Sequence, residues 1–156
     1  MKEIILASAS PRRKEILAGI GVSFRVLPAD ADERCELTDP EAFVCELARR
    51  KGQAVLPLLS PTERENAVIL SADTVVVLEG EILGKPKDRE DACRMLRRLS
   101  GNTHLVMTGI GVTVKGETKT AAEITKVSVD RIPEDRLLAY VDSGDPMDKS
   151  GVRIWY

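Results

Sequence analysis

Aromatic side chains are scarce in this 156-residue chain: one Trp, two Tyr and two Phe, 3% of the total. Single-strand nucleic-acid platforms need several such rings for base stacking, so that class is disfavoured. The net charge of −2 offers no general basic surface to a polynucleotide or an anionic membrane. His104 is the single histidine. It excludes a multi-histidine metal site within the chain and makes a serine or cysteine triad improbable. Cys35, Cys45 and Cys93 are widely spaced without a C-x-x-C pair, so neither a zinc site nor a disulfide framework is indicated. Cys45 and Cys93 fall in helical patterns, as small core or boundary residues. No apolar run approaches membrane-spanning length and no signal peptide precedes the first strand, so a cytoplasmic protein is expected. Any divalent metal is expected on oxygen ligands, which points to Mg²⁺ or Mn²⁺.

What is present is ordinary for one soluble globular domain: 43% hydrophobic and 31% charged residues. The stretch that organises it runs from Ile4 to Lys14. A short apolar strand stops at Ser8 and Ser10, and Pro11 opens a helix with Ser10 placed to cap it. Arg12, Arg13 and Lys14 oppose the helix dipole at that end, a conflict that a bound polyanion would relieve. Ile16 and Leu17 are expected to face inward, and Gly19 and Gly21 to end the helix. Ser23 to Leu27 reads as a second strand, followed by an acidic loop, Asp30-Ala31-Asp32-Glu33.

Asp39-Pro40-Glu41 opens a long helix whose inward stripe is Val44, Leu47, Ala48, Val55 and Leu58. Lys51 falls in register with that stripe and must snorkel, pair with an acid or line a polar cleft. A loop with Pro57, Ser60, Pro61 and Thr62 then leads to Ala67–Ala72, a run expected to be a strand buried on both faces. It ends at Asp73-Thr74, before a second apolar run, Val75–Leu78. An unpaired carboxylate between two buried runs is costly, so Asp73 should pair with a cation, bind a metal or face a cleft. Glu79-Gly80-Glu81 makes a turn, and Lys85 is held in the loop before Pro86. Asp88 caps a helix with Ala92, Met95, Leu96 and Leu99 inward. Two long strands, roughly 103–114 and 118–129, form a hairpin around Lys115-Gly116-Glu117. Pro133 opens a last helix with Leu137, Leu138 and Val141 inward. The order predicts an α/β fold with a mixed sheet and a cleft where Ser8, Ser10 and Asp73 converge.

These residues resemble the Maf family of nucleoside triphosphate pyrophosphatases. The matching pieces are LASASPRR at the start, Asp32-Glu33, LARRK at 47–51, SADTVV at 71–76, GKP at 84–86, MLRRLSGNTH at 95–104 and Asp148-Lys149. The resemblance spans the chain as one domain. It implies an elongated α/β fold with a central mixed sheet and a cleft, related to the inosine triphosphate pyrophosphatases. It also implies metal-dependent hydrolysis of a nucleoside triphosphate to the monophosphate and pyrophosphate. Asp73 matches the family's proton acceptor, and Glu33 an acid that shares the metal with it. Ser8, Ser10, Arg13, Lys51, Lys85 and Lys149 match substrate-binding positions. Arg12 and Thr74 stand where the dTTP/UTP branch carries Arg and Thr, which favours those pyrimidine nucleotides and their modified relatives. Family members have also been linked to septum formation.

After Asp148-Lys149 the family continues with further strand and helix, whereas this chain reads Ser150–Tyr156 and stops. The expectation is a product truncated by a frame shift near Gly151. A catalytically inactive nucleotide-binding or septum-regulating protein is therefore the alternative to an active enzyme. The implied partner is the nucleotide, with no membrane or stable nucleic-acid partner; a homodimer is left open.

Overall fold

The computed structural model describes residues 2–144. Lys149 and the residues of the expected frame shift lie outside them. Six strands among the described residues form a mixed sheet: β1 (Glu3–Leu6), β2 (Arg25–Val26), β3 (Ala67–Leu78), β4 (Glu81–Leu83), β5 (Thr103–Val114) and β6 (Glu117–Ser128). Their order is β2-β1-β3-β5-β6, with β4 paired to β3. β1 pairs parallel with both β2 and β3, and β4 pairs antiparallel with β3. Among the described residues, five α-helices accompany it: α1 (Pro11–Gly19), α2 (Pro40–Gln53), α3 (Pro61–Asn66), α4 (Arg89–Leu99) and α5 (Glu134–Asp142). This is the α/β class with a mixed sheet that the alternating pattern predicts. The chain divides into two compact units whose boundaries cut β3 at Asp73/Thr74, β5 at Met107/Thr108 and β6 at Glu123/Ile124.

In the first unit, β1 and the start of β3 lie side by side with Ile5 opposite Ile69. Ile5, Ala7, Ala67 and Ile69 pack with Val55 and Leu59 into one core cluster. Helix α2 starts as expected, with Asp39 accepting from the Ala42 N–H and Pro40 at the first turn. Its end differs from expectation. The helix stops at Gln53, and a 3-10 turn over Leu56–Leu58 follows. Pro57 has no N–H to continue the α pattern, and the tighter turn shifts the phase. Leu59 is therefore buried, while Leu58 is 56% exposed. The segment expected as loop contains α3, opened by a capping box between Ser60 and Glu63.

Helix α1 begins and ends as its caps predict. Gly21, at φ 75°, lets its N–H reach Ala18 O and the Val22 N–H reach Leu17 O, a left-handed stop. The inward pair is corrected, because Ile16 is 57% exposed and Leu17 only half-buried. Adjacent helix positions lie about 100° apart, so both cannot centre on one face. The second strand is two residues instead of five, since it meets only the last two residues of β1. Residues 67–78 form one strand, not two. Its first half alternates, with Ala67, Ile69 and Ser71 buried and Val68, Leu70 and Ala72 half-buried. Only Val75–Leu78 is buried continuously.

In the second unit, α4 and α5 share a core of Ala92, Cys93, Met95, Leu96, Leu137 and Val141. Val76, Leu78, Leu83 and Leu99 make another cluster. Pro133 stands at the N-cap of α5, one residue before the expected helical position. His104, on β5, is buried, and burial holds its pKa below the ordinary histidine value.

Candidate active site

Side chains alternate along β3, so Ala67, Ile69, Ser71 and Asp73 share one face. The first two enter the core cluster that includes Val55, just beyond the end of α2. Further along, the Ser71 hydroxyl donates to Ala48 O on α2 at 2.6 Å. Asp73 is the next residue on this face and reaches the same helix at Lys51: its Oδ1 accepts from Lys51 Nζ at 2.7 Å. The helix lies close enough because β5 presents glycine. A Cβ on Gly109 would stand 2.3 Å from Val44 O, and one on Gly111 would stand 2.6 Å from Ser71 Oγ and 3.2 Å from Ala48 O. A Cβ on Gly52 would meet Thr113 Oγ1 at 2.7 Å. Four residues of helix rise about 6 Å, close to two residues of strand, so Val44, Ala48 and Gly52 track 109, 111 and 113.

Lys51 Nζ has a second partner, Glu33 Oε1, at 3.1 Å. The side chain of Asp73 is 13% exposed, Lys51 22% and Glu33 63%. Burial lowers the Lys51 pKa, but the hydrogen bond and charge of Asp73, then those of Glu33, outweigh it and hold it above the ordinary lysine value. Lys51 is thus a fixed cation between two carboxylates. Neighbouring Asp32 is engaged within the loop, where its Oδ1 accepts from the backbone N–H and Nε of Arg34, both at 3.0 Å.

The turn after β1 supplies a second polar cluster. Ser8 Oγ accepts from the Ser10 N–H at 3.2 Å and from Arg13 Nη1 at 3.2 Å. Arg13 Nη1 also donates to Ala72 O at 3.1 Å, on the residue before Asp73. Ser10 caps α1 through a long 3.5 Å contact from the Arg13 N–H. Arg13 therefore turns back to the strand end instead of standing against the helix dipole.

The first unit thus brings together Ser8, Ser10, Arg13, Glu33, Lys51 and Asp73 in two adjoining clusters. Arg12 lies exposed on α1. Thr74, half-buried, and Lys85, exposed in the loop after β4, belong to the second unit. Ser71, which ties β3 to α2, was not singled out from sequence; its signal was a lone hydroxyl at an inward strand position. Gly109 and Gly111 of β5 were not singled out either, although glycine inside a strand pattern is a sign of close backbone approach.

The family model described as Maf-like protein matches residues 3–153. The chain belongs to the Maf family. A protein of Thermococcus kodakarensis named dTTP/UTP pyrophosphatase is 45% identical over 148 residues, covering 95% of this chain and 77% of its own. One of the same name from Agathobacter rectalis is 45% identical over 164 residues, covering 97% of this chain and 80% of its own. The Acetivibrio thermocellus protein of that name is also 45% identical, over 156 residues. Among the described residues of this Maf chain, no helix is long and apolar enough to cross a membrane.

Proposed function

We propose that this chain hydrolyses dTTP and UTP to the monophosphate and pyrophosphate, with Asp73 as general base. The observation that carries the reading is the placement of Lys51 Nζ, on α2, between Asp73 Oδ1 on β3 and Glu33 Oε1 on the loop before α2. The identity to relatives named for this activity supports it.

Among the described residues no group of three or more His, Cys, Asp or Glu could hold a metal ion. Two carboxylates facing one ammonium nevertheless suit Mg²⁺ or Mn²⁺. Such ions commonly take one or two protein carboxylates and complete their shell with water and substrate phosphates. Glu33 and Asp73 would hold the ion, which would polarise the phosphate oxygens and offset their charge.

The chain's own residues do the rest. Lys51, whose Nζ lies between Glu33 and Asp73, offers ammonium donors to phosphate oxygens. Arg13 and Ser8 offer a guanidinium and a hydroxyl beside it. Asp73 takes a proton from the water that attacks the α-phosphorus, and the α–β bridging P–O bond breaks to release pyrophosphate. With one histidine, buried on β5, a carboxylate is the available base. The proposed roles of Arg12, Thr74, Lys85 and Lys149 rest on their motifs alone.

The test is pyrophosphate release from dTTP and UTP with Mg²⁺, with EDTA, and in Asp73→Asn. Release that disappears with EDTA and falls by at least roughly a hundredfold in Asp73→Asn, with the unfolding midpoint kept, is expected. No release from either nucleotide would overturn the activity, and near-normal turnover by Asp73→Asn would remove Asp73 as the base.

A further inference from the structure

Residues 27–39 form no helix or strand; Leu27 and Ala29 at its start pack against the cluster of Ile5 and Ile69, but Asp32, Glu33 and Arg34 are all exposed. Hydrogen bonds from α2 hold the peptide around Glu33. Arg50 Nη1 donates to Asp32 O at 3.1 Å and to Arg34 O at 2.6 Å, the two carbonyls that bracket Glu33. On its other edge, Arg50 Nε donates to Glu46 Oε1 at 2.7 Å. Glu46 is in turn bound by Arg49, through Nε to Oε2 at 2.9 Å and Nη2 to Oε1 at 2.7 Å. One guanidinium therefore ties a carboxylate of the helix to both peptide groups of the loop.

We propose that Arg50 is a positioning residue for the reaction: with Glu46 behind it, it clamps the peptide around Glu33 to α2 and so presents the Glu33 carboxylate to the Lys51–Asp73 pair. The inference rests on the pyrophosphatase reading of that pair. Arg50 and Lys51 are consecutive on one helix, so the anchor of the loop and the cation that Glu33 meets are set by the same backbone. Glu33 alone cannot hold this position, because its side chain is mostly in water. A surface pair of that kind contributes about 1 kcal/mol at most. The planar fork matters more than the charge: a lysine ammonium is a point donor and cannot span Glu46 and both carbonyls.

The experiment is a double-mutant cycle of Arg50→Ala and Glu33→Gln, with Arg50→Lys as the charge-conserving variant. The readouts are kcat/KM for dTTP, Mn²⁺ affinity of the chain without nucleotide, and amide hydrogen exchange of residues 32–35. Outer partners of metal-binding groups typically account for roughly ten- to a hundredfold in affinity or activity. Arg50→Ala is therefore expected to lower Mn²⁺ affinity and kcat/KM at least tenfold and to speed exchange at 32–35, and Arg50→Lys is expected not to restore them. In the Glu33→Gln background the same change should matter by less than about twofold, since nothing remains to position. Equal factors in both backgrounds, full activity in Arg50→Lys, or unchanged exchange at 32–35 would overturn the inference. If the parent releases no pyrophosphate, the functional reading falls while the Mn²⁺ cycle still decides the role of Arg50. If it binds no Mn²⁺ either, the exchange comparison decides it.

Discussion

Replacing Gly109 by alanine tests whether the contact between β5 and α2 governs the site. The new Cβ would lie 2.3 Å from Val44 O, 2.4 Å from Val44 C and 2.8 Å from Cys45 N. All three are backbone atoms of α2, so no rotamer change relieves the clash. An ordinary C···O contact is about 3.3 Å, so strand and helix must separate by about 1 Å. Overpacking of this kind costs about 3 kcal/mol. For a chain of this length that corresponds to roughly 6–12 °C in the unfolding midpoint. Lys51 lies further along the displaced helix, and a 1 Å misplacement costs on the order of a hundredfold in rate. Circular dichroism melting and pyrophosphate release measure the two effects. Gly111→Ala should be milder, because its worst contact is a movable hydroxyl, Ser71 Oγ, with Ala48 O at 3.2 Å. Gly19→Ala, with nothing within 4 Å in α1, should be neutral or stabilising by about 0.5–1 kcal/mol. If Gly109→Ala melts within about 2 °C of the parent, or the order of the three is reversed, the close-approach argument is wrong.

Two pH effects follow from charged and buried groups of the same fold. The hydrogen bonds of Arg49, then Arg50, lower the Glu46 carboxyl from 4.5 to about 2. The stability it contributes is complete above about pH 4.5 and lost as pH falls toward 2. The shift corresponds to about 3 kcal/mol, which screening at water-exposed guanidinia reduces to about 1–2 kcal/mol. Glu46→Gln should therefore be less stable at pH 7 and show a shallower acid slope in urea titrations below pH 4.5. His104, held neutral by burial, should make stability fall as pH drops below about 6.5, where the unfolded chain takes up the proton first. His104→Gln should lack that slope between pH 7 and 5; a slope that persists would assign it to another group.

Most elements were legible because their ends carry local chemistry. Ser10-Pro11, Asp39-Pro40 and Asp88 each name a helix start, and each accepts an N–H from the first turn. Lys115-Gly116, with φ 51° and 83°, names the hairpin. Lys51 and Asp73 stood out for the same kind of reason: each breaks an apolar pattern, and the structure pairs them. What the sequence did not disclose depends on partners distant along the chain. Ile16 is apolar but finds no cover, and Leu58 lost its place to Leu59 when Pro57 changed the helical phase. Arg50 reads as one more cation on an amphipathic helix. Its role becomes visible only when the loop at 32–34 folds onto α2.

A carboxylate at the seventh position of a 12-residue strand runs against both strand propensity and burial. The strand accommodates it by a gradient along one face. Ala67 and Ile69 enter a dry cluster, Ser71 is buried but donates to a helix carbonyl, and Asp73 meets an ammonium near solvent. Apolar contact gives way to a hydrogen bond at Ser71 and to a charged partner at Asp73, the first residue of this face to be more than marginally exposed, so neither polar group is left to burial alone. The helix repeats the gradient on its side, from Val44 through Ala48 to Lys51 and Gly52, as the facing strand runs from Gly109 through Gly111 to Thr113. Dry packing at one end therefore fixes the separation at which the charges meet at the other. Under the proposed reaction, that separation is the one Lys51 and Asp73 keep before substrate arrives. The site is then pre-organised by backbone contact instead of by the flexible reach of a lysine side chain.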